Sequence, residues 1–471
     1  MSSDVGTAGR GGASRAARRR ARLSRGFAVR VLAVVGVLSV AAVLTGVLTT
    51  VQGPRVTAIE SDPAAAVASA GSRIIFTTTQ SLEEVAPEQV SVTPATEFTV
   101  DTSGRSVGVR FALPLWDETT YTVRIDDLRG LGGGPAGSIE ETFTTPPLQA
   151  YILQRGADTD TIFRVDLTGD GVPVFEHPHI EDFRATAARL VVSTLEDDVS
   201  RLIVTRADGS DPQEMALPGE GIVANLQSAE TGNTIGYTFT DADISADRGR
   251  ESLLFTGSTA DPDAAPQPVE RAGEARVEDW RFVPGTDSIL MLTFDGALTL
   301  VAPGGGDAVS LGNAIGISDI SGTSAYVDRV EGPVVIELAT AEEEPLSAAA
   351  ADLGQLGSLT ALPGGGTLQA LTPFDGLDAL DTTLTRVSPE GETSTVATVA
   401  AGDALLQTCI APSGRYAALV VAPEAVSNPY DGYLLPLPER LETRIVSFDD
   451  GAQVVPLAGF DLSWCRKAPE L

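Results

Sequence analysis

Histidine is the side chain most suited to moving protons or holding a metal near neutral pH, and this chain has two, His177 and His179, on either side of Pro178. In an extended segment residues two apart share a face, so both rings can reach one metal ion, with Glu176 or Glu181 nearby as a carboxylate ligand. A polar loop is the alternative. Asp166-Leu-Thr-Gly-Asp170-Gly171 and Asp241-Ala-Asp243-Ile-Ser-Ala-Asp247 place oxygen ligands at alternate positions, as Ca²⁺ loops do. Neither has the full loop pattern or its closing bidentate glutamate, and Asp-Gly is equally the chemistry of a hairpin turn. His177, His179, Asp166 and Asp170 are therefore the metal candidates, and no metal site is assigned to them.

Covalent catalysis finds little support. A Ser-His-Asp triad needs a histidine base, and both histidines fall in one short segment with no Gly-x-Ser-x-Gly before a helix. No phosphate-binding loop, dinucleotide fingerprint or Cys-x-x-Cys is present. Glycoside hydrolysis needs only two carboxylates about 5.5 or 9 Å apart, but nothing singles out a pair among 64 acidic residues. No catalytic residue and no cofactor is assigned. Cys409 and Cys465 are too few for a four-ligand zinc site. Paired, they would form a disulfide in an exported compartment; unpaired, they would be two buried thiols.

The compartment is read from Val31–Val51, a run without a charged residue. As a helix it would be about 31 Å long, the thickness of a bilayer core. Arginines from Arg10 to Arg30, opposed only by Asp4, precede it, which keeps that end in the cytoplasm. The run is longer than a signal-peptide core and ends without a small-x-small cleavage site. The expectation is a disordered basic cytoplasmic tail over 1–26, a transmembrane signal anchor over 27–51, and everything later outside the cell membrane. The formal net charge is −32. With a basic tail, the exported part is more acidic still, which repels nucleic acid and anionic headgroups.

Residues 54–147 read as short strands. Arg73–Thr78, Val90–Thr93, Ser106–Phe111 and Tyr121–Ile125 are short β-rich runs, several of which alternate apolar and polar residues, and this predicts a β-sandwich. Leu115-Trp-Asp-Glu-Thr-Thr-Tyr-Thr-Val-Arg-Ile-Asp-Asp-Leu-Arg-Gly-Leu131 and the closing Phe143-Thr-Thr-Pro-Pro147 resemble a bacterial Ig-like domain of the S-layer protein type. Arg73–Phe76 followed by Leu82-Glu-Glu-Val85 also fits, where that family has a helical turn. The usual Pro and Val around 79–81 are missing. The resemblance implies a spacer or adhesion module.

Residues 148–465 repeat loosely about every 45 residues, a period that suggests propeller blades. The fourth unit is the clearest, Val277–Leu292 followed by Phe294–Val301, and the seventh contains Leu406–Val421. With their strand–Pro–turn–strand pattern these resemble propellers of the TolB type, a likeness of architecture that carries no active site. The first unit begins at Tyr151 with no inner strand before it, and Gly459–Cys465 reads as an orphan strand. If that strand completes the first blade, it closes the ring, and a Cys409–Cys465 bond would lock the closure. Residues 466–471 are a C-terminal tail.

The expected fold is thus an all-β ectodomain, an Ig-like sandwich plus a β-propeller of about seven blades, preceded by one transmembrane helix. The expected role is binding or scaffolding in a bacterial envelope, with an envelope protein or cell-wall glycan as partner, the membrane engaged through 31–51, and no nucleic acid. A propeller enzyme acting on envelope polysaccharide and an extracytoplasmic sensor are the alternatives.

Overall fold

The computed structural model describes residues 33–40 and 53–469, apart from 187, 231, 246–247, 271–272, 303–307, 348 and 350–352. Residues 33–40 are helical; the rest of the apolar run, and the basic tail, lie outside the described residues. Among the described residues no helix is long and apolar enough to cross a membrane. The chain divides into two compact units. One takes in Met1–Ser61, Arg73–Arg110 and Thr122–Thr142; the other takes in Asp62–Ser72, Phe111–Tyr121 and Phe143–Leu471.

The first unit is built on two sheets. One orders Val56–Glu60, Arg73–Thr78, Ser106–Phe111 and Phe98–Ser103; the other orders Val90–Thr93, Thr120–Leu128 and Gly137–Thr144. Several strands show the period of two expected of a sheet with one dry face. Ile74, Phe76 and Thr78 are buried in one strand, and Val90 and Val92 in another. On the wet face the hydroxyls of Thr122 and Thr142 lie 3.1 Å apart, a cross-strand pair. At Leu82–Val85 Leu82 bridges to Gly130, and the helical turn expected there falls later, as one 3₁₀ turn at Pro87–Gln89. A short α-helix forms at Pro63–Ala68, in the second unit. There Asp62 Oδ1 accepts from the amides of Ala64 and Ala65 at 3.1 and 3.0 Å, and Pro63 takes the first helical position, where no amide is needed.

The second unit contains seven consecutive small sheets, an arrangement consistent with a β-propeller. We call them blades 1 to 7, covering 149–177, 180–214, 221–268, 277–313, 316–345, 355–399 and 404–458. Blades 2 to 7 each have four strands in chain order, and blade 1 has three. Blade 6 carries an extra hairpin, Phe374–Asp375 with Asp378–Ala379. The second strands are apolar on both faces, as in Tyr416–Ala422, which is buried throughout. That follows from being sandwiched between neighbouring blades. Buried clusters fill every such boundary. Val191 and Leu202 of blade 2 meet Ile235 and Tyr237 of blade 3, and Leu368 and Leu384 of blade 6 meet Ala417 and Leu419 of blade 7. The last blade packs on the first through Ala418, Ile445, Ile152 and Val165. At about 25 cal/mol per Å² of apolar surface, this boundary burial is the main force holding the ring.

The end of the chain meets blade 1 at one bridge, Leu153 with Phe460, and does not form the strand expected over Gly459–Cys465, because it turns at Ser463-Trp464. Leu153 and Phe460 exchange backbone hydrogen bonds of 3.0 and 2.9 Å, and Ser463 N donates to Tyr151 O at 2.9 Å. Cys409, on the first strand of blade 7, is disulfide-bonded to Cys465 with Cα atoms 5.1 Å apart. Closing a loop of this length contributes about 4 kcal/mol in the chain-entropy picture.

Candidate functional site

The largest departure from the blade pattern lies in blade 7. Its second and third strands, Tyr416–Ala422 and Glu442–Ser447, are joined by the long connection 423–441, where blade 2 turns on Asp197-Asp198 alone. This connection folds on itself first. Asn428 Nδ2 donates to Arg440 O at 2.8 Å, and its Oδ1 accepts from Arg440 N at 3.0 Å. Asp431 Oδ1 accepts from Leu437 N at 3.0 Å.

A clasp then fastens it to blades 1 and 2. Arg155 Nη1 donates to Asp431 Oδ2 at 2.7 Å, and Nη2 donates to Glu181 O at 3.2 Å. The guanidinium lies 3.6 Å from the centre of the Tyr433 ring, a cation–π stack. The Tyr433 hydroxyl donates to Asp160 at 2.7 Å. Asp160 is fully buried and also accepts the amides of Ile180 at 2.7 Å and Gly156 at 3.1 Å. Burial raises the Tyr433 pKa, and the hydrogen bond to Asp160 adds to it, so the phenol keeps its proton. Glu181 Oε1 accepts from Leu434 N at 3.1 Å and lies 2.6 Å from His179 Nε2, with the His179 ring 4.1 Å from that of Tyr433.

The fastened connection walls a cleft of about 780 Å³. Arg155, Tyr433 and Phe460 form part of its lining, with Glu439, Arg440 and Glu442 from the blade 7 side. Arg440 is ion-paired with Glu424 at 3.1 Å. The cleft thus offers aromatic faces, guanidinium groups and carboxylates, the equipment of a binding site for a polar ligand.

The residues singled out by sequence are dispersed. His177 ends a blade 1 strand, with Nδ1 3.0 Å from His179 O and Nε2 3.2 Å from Glu196 Oε1. His179 belongs to the clasp. Asp166 and Asp170 form a turn, in which Asp166 Oδ1 accepts from Thr168 N at 2.9 Å and Asp166 N donates to Asp170 O at 3.2 Å. Asp241 pairs with Arg250 at 2.6 Å, and Asp247 lies outside the described residues. Among the described residues no three His, Cys, Asp or Glu side chains gather as a metal-ligand group.

A second polar cluster occupies the first strands of the blades. Each of these strands from blade 2 to blade 7 carries a register shift, and acids follow three of the shifts, at Asp182, Asp279 and Asp319. Buried Arg184 bonds Asp461 at 2.8 Å and pairs with Asp182 at 2.8 Å. Burial holds the Asp182 carboxyl well above the usual range; Arg184 opposes this, and Asp461 reinforces it. The tail beyond Cys465 reaches the same strands. Lys467 Nζ lies 3.8 Å from Asp279, Arg466 3.9 Å from Asp319, and Gln407 Nε2 donates to Lys467 O at 2.8 Å.

No protein-family model matches the chain, and no curated protein matches it. Solved structures with a distant likeness include a functionally unknown protein from Desulfotomaculum acetoxidans DSM 771, 11% identical over 68% of this chain and 99% of that one, with a TM-score of 0.42. The acylaminoacyl peptidase of Pyrococcus horikoshii is 10% identical over 65% of this chain and 52% of that one, with a TM-score of 0.43. An auxiliary nutrient binding protein from Bacteroides thetaiotaomicron VPI-5482 is 11% identical over 74% and 86%, with a TM-score of 0.30. Likenesses this distant leave activity, ligand and partner open.

Proposed function

We propose that the chain is a membrane-anchored, extracytoplasmic binding or scaffold protein of a bacterial envelope, with a non-enzymatic propeller head on an Ig-like stalk. The observation that carries the binding role is the cleft beside the blade 7 connection, walled by a segment that the Arg155–Tyr433–Asp160 clasp holds in place. Arg155, Asp431, Arg440 and Glu442 of its lining are held in ion pairs, which suits recognition more than proton transfer. The disulfide supports an oxidising compartment. The uncharged run Val31–Val51 behind an arginine-rich flank supports the anchor and its orientation. Two features support an Ig-like stalk. The strand order of the two sheets is that of a constant-type immunoglobulin domain. Tyr121, near the start of the sixth strand, accepts the amide of Trp116 at 3.0 Å through its hydroxyl, the geometry of a tyrosine corner.

The test is crosslinked capture on the full-length protein in its own membranes, with isolated cell wall assayed in parallel. Ala157 is exposed and lines the cleft, and its side chain is none of the groups of the clasp, so Ala157→Trp narrows the cleft. A protein or wall fragment retained by the parent chain and lost by Ala157→Trp is the expected result. Capture that is indifferent to this substitution would remove the cleft from the reading, and turnover of wall polysaccharide would replace binding with catalysis.

A further inference from the structure

Strands in a blade alternate in direction, so the connection between the second and third strands and the link to the next blade emerge at the same end. Hydrogen bonds tie the two kinds of loop together. Ala314 N donates to Gly296 O at 2.8 Å, Ile315 N to Asp328 O at 2.8 Å, and Ala425 N to Gly402 O at 2.9 Å. On this face, blades 4, 5 and 6 share a local pattern. Their second connections read Phe294-Asp295, Val330-Glu331, Phe374-Asp375, Leu377-Asp378 and Leu380-Asp381, and every one of these side chains is exposed. Each large apolar residue is followed directly by an acid.

Single exposed apolar residues are ordinary. A row of them on the tips of neighbouring blades is not, because a turn asks for glycine, asparagine or aspartate. Gly376, at φ +68°, meets that need in blade 6; Leu377 beside it is 99% exposed, and Val330 is 87% exposed. Blade 6 extends the row with its extra hairpin, whose apolar side chains find no core. Phe294 has the Arg276 guanidinium 5.2 Å from its ring.

We infer that the tips of blades 4 to 6 dock a basic, amphipathic segment of a partner protein. This rests on the binding role proposed above and names the class of partner, at a place separate from the cleft. Charge decides the occupant. Among the described residues, Arg276 and Arg440 on this face are paired within the chain, with Glu251 at 3.0 Å and with Glu424 at 3.1 Å, and exposed Arg248 lies on the blade 3 connection, away from blades 5 and 6 in chain order. Asp295 Oδ1 accepts from Thr293 Oγ1 at 2.6 Å and Asp381 Oδ1 from Ala401 N at 3.0 Å, while exposed Glu331, Asp375 and Asp378 add negative charge to the tips of blades 5 and 6. A bilayer would have to take each apolar side chain together with its neighbouring carboxylate, and anionic headgroups would be repelled. A second copy would bring the same carboxylates face to face. A segment with apolar residues on one side and Lys or Arg flanking them satisfies both halves of each pair.

The test uses the full-length protein in nanodiscs of zwitterionic lipid. The probe is a Leu/Lys amphipathic peptide of about five helical turns, with its Leu/Glu counterpart as control. Phe374→Ser/Leu377→Ser/Leu380→Ser is expected to weaken Leu/Lys binding about tenfold or more. Asp375→Asn/Asp378→Asn/Asp381→Asn is expected to weaken it and flatten its salt dependence. Ala157→Trp is expected to bind the peptide as the parent does. Equal binding by the parent and the serine variant would overturn the inference, as would tip-dependent sedimentation with phospholipid vesicles or tip-dependent self-association. Peptide binding lost only in Ala157→Trp would move the site to the cleft. Tip-dependent binding alongside a failed cleft experiment would sink the cleft alone.

Discussion

Blades 6 and 7 join their second and third strands at corresponding positions, one through 373–381 and the other through 423–441. In blade 7 the connection puts its polar groups inward. Tyr433 and Asp431 meet Arg155 and Asp160 from blade 1, and Leu434 N meets Glu181 from blade 2. In blade 6 the connection folds as a small hairpin that turns its apolar side chains outward. One loop is fixed by interactions made within the chain, and its product is a shaped cleft. The other carries Phe374, Leu377 and Leu380 exposed along its hairpin, where the blade 7 connection exposes Val426, Tyr430 and Leu434 around its clasp. The difference comes from what each loop can reach. Arg155 and Asp160 lie beside a loop that must satisfy them, because a buried charge without a partner is costly. No such demand acts on the blade 6 hairpin.

The sharpest way to break this contrast is Arg155→Ala. The Arg155 and Asp431 side chains are 9% and 12% exposed, so removal strands a largely buried carboxylate and empties the space over Tyr433. A loss of about 3–5 kcal/mol is expected, read by denaturant unfolding. Limited proteolysis should show new cleavage within 424–440 and unchanged cleavage at 373–381. A loss under about 1 kcal/mol would mean the connection is held by its own hydrogen bonds.

Tyr433→Phe is the gentler version. The ring stays over Arg155, but the buried Asp160 carboxylate loses its phenolic donor and keeps only the amides of Ile180 and Gly156. The expected cost is about 2 kcal/mol, with the cleft retained. A cost equal to that of Arg155→Ala would show that the hydrogen bond, not the guanidinium, closes the clasp.

These two residues also mark where sequence reasoning reached its limit. The blades were legible because their signal is local. Trp280 and Leu290 in blade 4, and Ala417 to Val421 in blade 7, carry period and turn chemistry within a few residues. The return of the chain end to blade 1 was legible because blade 1 visibly lacked a partner for Tyr151, but Gly459–Cys465 forms a single bridge at Phe460 and a turn at Ser463-Trp464 where a strand was expected. The clasp was not, since Arg155 and Tyr433 lie at opposite ends of the ring's sequence and neither occurs in a motif. His179 attracted attention as a metal candidate, whereas its ring packs on Tyr433 and its Nε2 faces Glu181. Pro63–Ala68 was missed as a helix because it is short and carries no amphipathic period; Asp62 followed by Pro63 was the available signal.

The carboxylates on the first strands offer a control that belongs to neither loop. The raised Asp182 pKa means that the native state binds this proton more tightly than the unfolded chain does. The stability it contributes is whole below the unfolded value of 3.8 and is lost as pH rises through the raised folded value. Asp182→Asn copies the protonated state. The variant should therefore be more stable than the parent at neutral pH, by about 1 kcal/mol, with the gap closing toward pH 4. Thermal unfolding across that range measures it. A variant destabilised at every pH would mean that Arg184 needs the Asp182 charge as well as that of Asp461.

The smallest effect is expected where the surface is most conspicuous. Phe374→Ser and Leu377→Ser should change folding stability by less than about 0.5 kcal/mol, because neither side chain belongs to a buried cluster and Leu377 has nothing to lose to solvent. Denaturant unfolding of the two variants beside Tyr433→Phe makes the comparison direct. If a serine at 377 cost as much as the loss of the Tyr433 hydroxyl, the hairpin would be packed against something within the chain, and its apolar residues would need no partner. If the cost is negligible, the apolar side chains of 373–381 are not there for the fold. Their pairing with Asp375, Asp378 and Asp381 then has to be accounted for by what they meet outside it.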